Sequence, residues 1–131
     1  MKSVAARIVK SHAKGDKVVV VVSAPGDTTD DLIDLARQIT DSPDEREMDV
    51  LLATGEQQSI ALLAIAIKAQ GVDAISFTGP QVGIITDDVH GKARIVKVGD
   101  AKIRSALKLD KIVIVAGFQG QTEEEEITTP R

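Results

Sequence analysis

Five consecutive valines, Val18 to Val22, run directly into Ser23-Ala24-Pro25-Gly26-Asp27-Thr28-Thr29-Asp30-Asp31-Leu32, and this junction constrains the fold more than any other part of the chain. An unbroken apolar run of this length reads as a strand buried on both faces, because a half-exposed strand would alternate apolar with polar residues. Pro25 and Gly26 impose a tight turn. Thr28, with Asp31 three residues later, has the spacing of a capping box at the start of a helix. A buried strand passing through a glycine turn into a helix sets a small-molecule site at the strand's carboxyl end.

The turn narrows the class of ligand. It carries neither the Gly-Lys-Ser/Thr of a phosphate-cradling loop nor the Gly-x-Gly-x-x-Gly of a dinucleotide site. Asp27, Asp30 and Asp31 crowd the helix N-terminus and would repel a phosphate that the helix dipole attracts. A ligand with both an amino group and a carboxylate suits this mixed charge better. The same residues also make an ordinary strand-to-helix connection with a good cap.

A chain of 131 residues is one domain, long enough to bury a core without disulfides or metals. The net charge of -4 and the lack of a basic stripe with interleaved aromatics argue against nucleic acid. With no cysteine there is no thiolate chemistry, which fits a reducing cytoplasm. No signal peptide opens the sequence, and the apolar stretch Ile60 to Ile67 is far too short to span a bilayer. Only Phe77 and Phe118 are aromatic, so the core is built from Val, Ile, Leu and Ala.

Helix and strand patterns alternate along the chain. Val4 to Ala13 reads as a helix with Val4, Ile8 and Val9 on one side, ended by Gly15. After the valine strand, Thr28 to Ile39 is a helix presenting Leu32, Leu35, Ala36 and Ile39. Ser42-Pro43-Asp44-Glu45 opens another, with Pro43 in its first turn; it meets Gly55 and resumes from Ser59 to Ala69. Ala74 to Phe77 and Ile112 to Ala116 are strands, Ala101 to Leu109 a helix. Ile84 to Thr86 and Arg94 to Val98 form a hairpin around residues 87–91. Strands separated by helices give an α/β fold, a three-layer α/β/α sandwich on a mainly parallel sheet.

In that architecture Ser23 to Thr28, Thr78-Gly79-Pro80 and Gly117-Phe118-Gln119-Gly120 converge on one crevice. Phe118, between two glycines, either closes the sheet edge as a core residue or touches a ligand. Glu56 stands at the head of a helix that is apolar nearly all round and therefore buried. A carboxylate there either caps the helix or faces a cation, such as a ligand's amino group. His12 and His90 have no metal-ligand partners at useful spacing and read as exposed. The run Glu123 to Glu126 reads as a solvated loop.

Five motifs in order resemble the aspartokinases: Val-Val-Val-Ser-Ala-x-Gly-Asp-Thr-Thr-Asp-x-Leu (20 to 32), Leu-Leu-Ala-Thr-Gly-Glu (51 to 56), Ser-Phe-Thr-Gly (76 to 79), Thr-Asp-x-x-His-Gly-x-Ala-Arg-Ile (86 to 95) and Val-Ala-Gly-Phe-Gln-Gly (115 to 120). The resemblance implies the amino acid kinase fold, here as a partial domain, the part that binds the amino acid. It also implies transfer of the γ-phosphoryl of ATP to the side-chain carboxylate of aspartate. By this resemblance Ser23, Thr28, Glu56 and Phe118 line the aspartate pocket, with Glu56 taking the amino group. It further implies ATP and Mg as cofactors of the intact enzyme, a cytoplasmic location and a role in amino acid biosynthesis, that of lysine included.

The family's Lys-x-Gly-Gly-Thr strand has no counterpart before residue 3, and Ile127-Thr128-Thr129 continues as Pro130-Arg131 instead of Leu-Gly-Arg-Gly-Gly-Ser-Asp. The lysine, arginine and aspartate of the family's active centre are therefore missing. Phosphoryl transfer is mostly positioning and charge neutralisation, so no residue here is expected to be catalytic, and this chain is expected to bind no nucleotide or metal. L-Aspartate is expected to bind weakly, and a homodimer to cover the sheet edge beside Val18 to Val22. A non-catalytic amino-acid-binding or assembly module is the alternative.

Overall fold

A computed structural model describes residues 2–23, 26–83, 85–86, 95–97, 99–117, 120–121 and 127–128. The elements are α1 (Lys2–Ala13), β1 (Val19–Val22), α2 (Gly26–Arg37), α3 (Glu45–Ala69), β2 (Ala74–Phe77), a short 3-10 turn (Pro80–Val82), β3 (Ile85–Thr86), β4 (Ile95–Lys97), α4 (Ala101–Lys108), β5 (Ile112–Ala116), β6 (Gly120–Gln121) and β7 (Ile127–Thr128).

The main sheet is parallel in the order β1-β5-β2. Val19 pairs with Val113 and Val22 with Ala116 on one side of β5, and Ala74 with Ile112 and Phe77 with Val115 on the other. Alternation along β5 feeds two cores. Ile112, Ile114 and Ala116 pack with Ala5 of α1 and Ile60, Leu63, Ala64 and Ile67 of α3. Val113 and Val115 pack with Val82 and Ala106, flanked by Ile103 and Leu107 of α4. Helices thus cover both faces, and the layered α/β expectation holds. Each buried Leu, Ile or Val side chain contributes about 1.5–3 kcal/mol.

The valine run is not buried on both faces. β1 is an edge strand, with Val21 70% and Val19 43% exposed. Val18, Val20 and Val22 pack on the core formed with α1 and α3, whereas the core on the α4 side is formed by Val113 and Val115 of β5. Uninterrupted apolarity belongs here to an edge strand covered on one side, and all five residues of β5 are the buried ones.

Two helix boundaries also differ. Gly55 does not interrupt a helix: α3 is one element of 25 residues. Asp44, not Pro43, starts it, its carboxylate accepting from the Glu47 N–H at 3.0 Å. Gly55 is buried, and the Ser59 hydroxyl donates to its carbonyl at 3.2 Å. Nor is this helix buried all round, since Leu62 is 54% and Ile65 63% exposed. By length and composition α3 could cross a membrane, although half of its apolar window is buried within the domain.

α2 starts at Gly26, so Thr28 lies inside its first turn and is not the cap that the capping-box spacing suggests. Leu32, Ile33 and Ala36 form its half-buried side, while Leu35 and Ile39 point to solvent. In α1 it is Ala5, not Val4, that is fully buried, beside Ile8 and Val9.

A second sheet has the order β4-β3-β6-β7. β3 and β4 pair antiparallel, as the hairpin pattern predicts, with a register shift between Ile85 and Thr86. β6 and β7, unforeseen in the sequence, pair antiparallel and bracket the acidic run, which itself lies outside the described residues, as does His90.

Candidate functional site

All three strands of the main sheet run the same way, so the residues after Val22, Phe77 and Ala116 lie at one end. The Gly117 N–H donates to the Val22 carbonyl at 2.8 Å, extending the β1–β5 ladder one residue past the strands. A β-carbon on Gly117 would stand 2.6 Å from Val21 Cγ1. A larger residue there would have to displace the Val21 side chain, the Val22 carbonyl being 3.5 Å away. After β2, the Thr78 N–H donates to Gln81 Oε1 at 2.9 Å and the Gln81 N–H to Thr78 Oγ1 at 3.3 Å. This reciprocal pair fixes the turn that follows the strand.

Ser23 follows β1 directly and is exposed. Thr28, half-buried, is in the first turn of α2, at the same end of the sheet. Glu56 is 6% exposed. It stands in the middle of α3, so it does not cap a helix, contrary to its expected place at a helix head. α3 returns to the amino end of β2 through residues 70–73. At 1.5 Å per residue its run from Glu56 to Ala69 covers about 20 Å, whereas the four residues of β2 span about 13 Å. Glu56 is thereby carried to the level of the strands' carboxyl ends or beyond, on a helix that packs against α2. Phe118 lies outside the described residues.

A second acid shares this buried face of α3. Asp49 is fully buried, one helical face with Glu56 and seven residues before it. The signal was present: Met48, Leu52, Ser59, Leu63 and Ile67 mark a buried stripe on which both acids fall. Neither carboxylate lacks a partner, as burial of an ionisable group requires.

The perturbed carboxylates lie at the opposite, amino end of the sheet. Asp73, just before β2, is held below the ordinary carboxylate range chiefly by its hydrogen bond with Lys68, whose Nζ is 3.2 Å away. Asp110, just before β5, is lowered first by the charge of His12 and then by hydrogen bonds with His12 and Lys17, at 3.2 and 3.4 Å. His12 is thus not an exposed surface residue; its side chain is only 16% accessible and ties α1 to the end of α4. These pairs join separate elements at the end of the sheet opposite Ser23, Thr28 and Gly117. Among the described residues no three His, Cys, Asp or Glu side chains gather as a metal site.

Residues 1–129 match the amino acid kinase family. The chain belongs to that family. Within it, this member is 54% identical to the aspartokinase of Geobacillus stearothermophilus over 129 residues, 98% of this chain and 32% of that protein. It is 52% identical to aspartokinase 2 of Bacillus subtilis (strain 168) over the same share of each. The chain therefore spans about a third of the length of the curated relatives it matches. Among solved structures, aspartate kinase from Synechocystis superposes with a TM-score of 0.79 at 44% identity, over 98% of this chain and 20% of that one. The E. coli aspartokinase III complex with aspartate and ADP shares the fold, with a TM-score of 0.62 at 23% identity over 76% of this chain and 23% of that one.

Proposed function

We propose that this amino acid kinase segment forms the aspartate-binding part of an aspartokinase catalytic domain, whose reaction transfers the γ-phosphoryl of ATP to the side-chain carboxylate of L-aspartate. The observation that supports the reading most is the buried carboxylate of Glu56, held by α3 at the level of the strands' carboxyl ends, in a chain about half identical to aspartokinases.

In this reading Glu56 receives the substrate's ammonium group. The partly buried setting strengthens the pair relative to water. Ser23 and Thr28 contribute hydroxyls from the end of β1 and the first turn of α2, where the helix dipole favours a carboxylate. Phe118, which lies outside the described residues, completes the proposed set. ATP and Mg serve the intact enzyme; the lysine, arginine and aspartate that steady phosphate, substrate carboxylate and transferring group have no counterpart among these 131 residues. The isolated chain accordingly performs no turnover. It belongs to a cytoplasmic, homo-oligomeric enzyme of amino acid biosynthesis.

Charge-assisted pairs to a substrate carboxylate contribute roughly 1.5–3 kcal/mol each, and the arginine for one is missing. Aspartate should therefore bind more weakly than about 1 mM, an affinity near −4 kcal/mol. Titration of aspartate against amide shifts at Thr28 and Gly117 tests this, with Glu56→Gln expected to remove the response. Hydroxylamine trapping should find no acyl phosphate above a no-protein control. Micromolar saturation would instead support a self-sufficient binding module.

A further inference from the structure

The core on the α4 side leaves an open groove on its outer flank. Ile75 and Phe77, alternate residues of β2, turn to the α4 face and are only partly buried against Val113 and Val115. Beyond them Lys102, Ser105 and Leu109 follow at steps of three and four, one face of α4 and its C-cap. With Lys111, just before β5, these residues line a groove of about 320 Å³.

The charge of this groove is positive only, in a chain of net charge -4. Neighbouring acids are engaged elsewhere. Asp100 accepts from Arg104 Nε at 2.7 Å, and Asp110 pairs with His12 and Lys17. Asp73 is bonded to Lys68, with Lys111 acting on it only at longer range. Among the described residues neither Lys102 nor Lys111 forms an ion pair, so both are left for an outside anion.

The groove also follows an open sheet edge. Among the described residues β2 pairs only with β5. The Asp73 carbonyl accepts from the Ile112 N–H at 3.0 Å, so the alternation of backbone directions turns the Ser76 N–H and carbonyl away from β5. Unpaired backbone groups of this kind are a template for another strand.

We propose that an extended segment of a partner protein adds to β2 as a strand, with two alternate apolar side chains against Ile75 and Phe77 and an acid at each end for Lys102 and Lys111. Bonds to Ser76 hold the backbone, and the side-chain pattern selects the sequence. Lys102 and Leu109 stand about 10 Å apart along α4, and each lysine reaches several ångströms outward. Acids six residues apart, about 20 Å in an extended chain, match that span.

The probe is a synthetic peptide, Glu-Thr-Val-Thr-Val-Thr-Glu, titrated into the chain and followed by amide shifts. Shifts should centre on β2 and α4, and the Ser76 amide should gain protection from hydrogen exchange. Lys102→Glu/Lys111→Glu, a change confined to the groove's rim, should weaken this peptide about tenfold and should bind Lys-Thr-Val-Thr-Val-Thr-Lys instead. Octanoate binding with the same lysine dependence, and no Ser76 protection by the peptide, would overturn the strand and leave a site for a small anion. Self-association that the charge-reversed variant abolishes would give the groove to a second copy and overturn the proposal likewise. A peptide without effect on β2 or α4 at millimolar concentration would overturn it outright.

Discussion

Asp49 and Glu56 lie two helical turns apart on the same buried face of α3, 0% and 6% exposed. Two carboxylates inside an otherwise apolar stripe do not improve a core; each loses hydration that only a partner restores. They nevertheless stand differently with respect to the sheet. Glu56 reaches the level of the strands' carboxyl ends, and Asp49 lies further toward the N-terminus of α3.

This pair supports a division of labour. Asp49→Ala should destabilise the domain by about 1–3 kcal/mol, since the group that Asp49 satisfies would stay buried without it. Glu56→Gln preserves shape and part of the hydrogen bonding, so it should cost less stability yet abolish the aspartate response. Urea midpoints and the amide titration, run on both variants, separate the two effects.

The contact between Gly117 and Val21 makes a second prediction. Gly117→Ala places a methyl group 2.6 Å from Val21 Cγ1, and overpacking of this type costs about 1–3 kcal/mol. Val21 is largely exposed, so Val21→Ala alone should change stability by no more than about 0.5 kcal/mol. The double variant should recover most of the loss, and a double-mutant cycle in urea measures that coupling.

Asp110 has φ 59, in the left-handed region. Asp110→Gly and Asp110→Ala both lose the contacts to His12 and Lys17, but only alanine retains the backbone strain. Glycine should be the more stable replacement by about 1 kcal/mol. Thermal unfolding of the two variants side by side isolates the backbone effect from the shared loss of contacts.

The pH dependence follows from Asp73 and Asp110, both lowered from the ordinary value of 3.8. A carboxyl group with a depressed folded-state pKa binds protons more readily in the unfolded chain. Its stabilisation is complete above 3.8 and is lost as pH falls through the lower folded value. The urea midpoint should therefore hold near neutrality and drop below about pH 4. Asp73→Asn and Asp110→Asn should each flatten that drop. An unchanged acid limb in the double variant would remove these two groups from the account.

The order of elements was legible because the apolar periods of α1, α4, β2 and β5 agree with their turn residues. Ile112 to Ala116 is apolar throughout and is buried throughout. The valine run is equally apolar but lies at an edge, since sequence periodicity records what could be buried and not what a neighbouring element covers. Gly55 looked like a break, yet a helix whose flanks are held by packing tolerates one glycine at about 1 kcal/mol. His12 reads as exposed in the sequence because its partner, Asp110, is 98 residues away and becomes a neighbour only in the fold. Glu56 drew attention as an acid within an apolar stretch, and its burial in α3 agrees with that, whereas Asp49, an acid beside Met48, resembles any surface helix residue.

The position of β5 at the centre of the parallel sheet has a consequence for biosynthesis. Among the described residues β1 and β2 do not pair with each other; each pairs with β5, the last of the three to leave the ribosome. At roughly 5–20 residues per second, the Val19–Val22 segment waits about five to twenty seconds for Val113. During that interval a stretch of bare valine backbone is exposed beside helices that already carry their apolar faces. The sheet thus assembles only once β5 has emerged, and this segment is the place where a nascent-chain chaperone has most to protect.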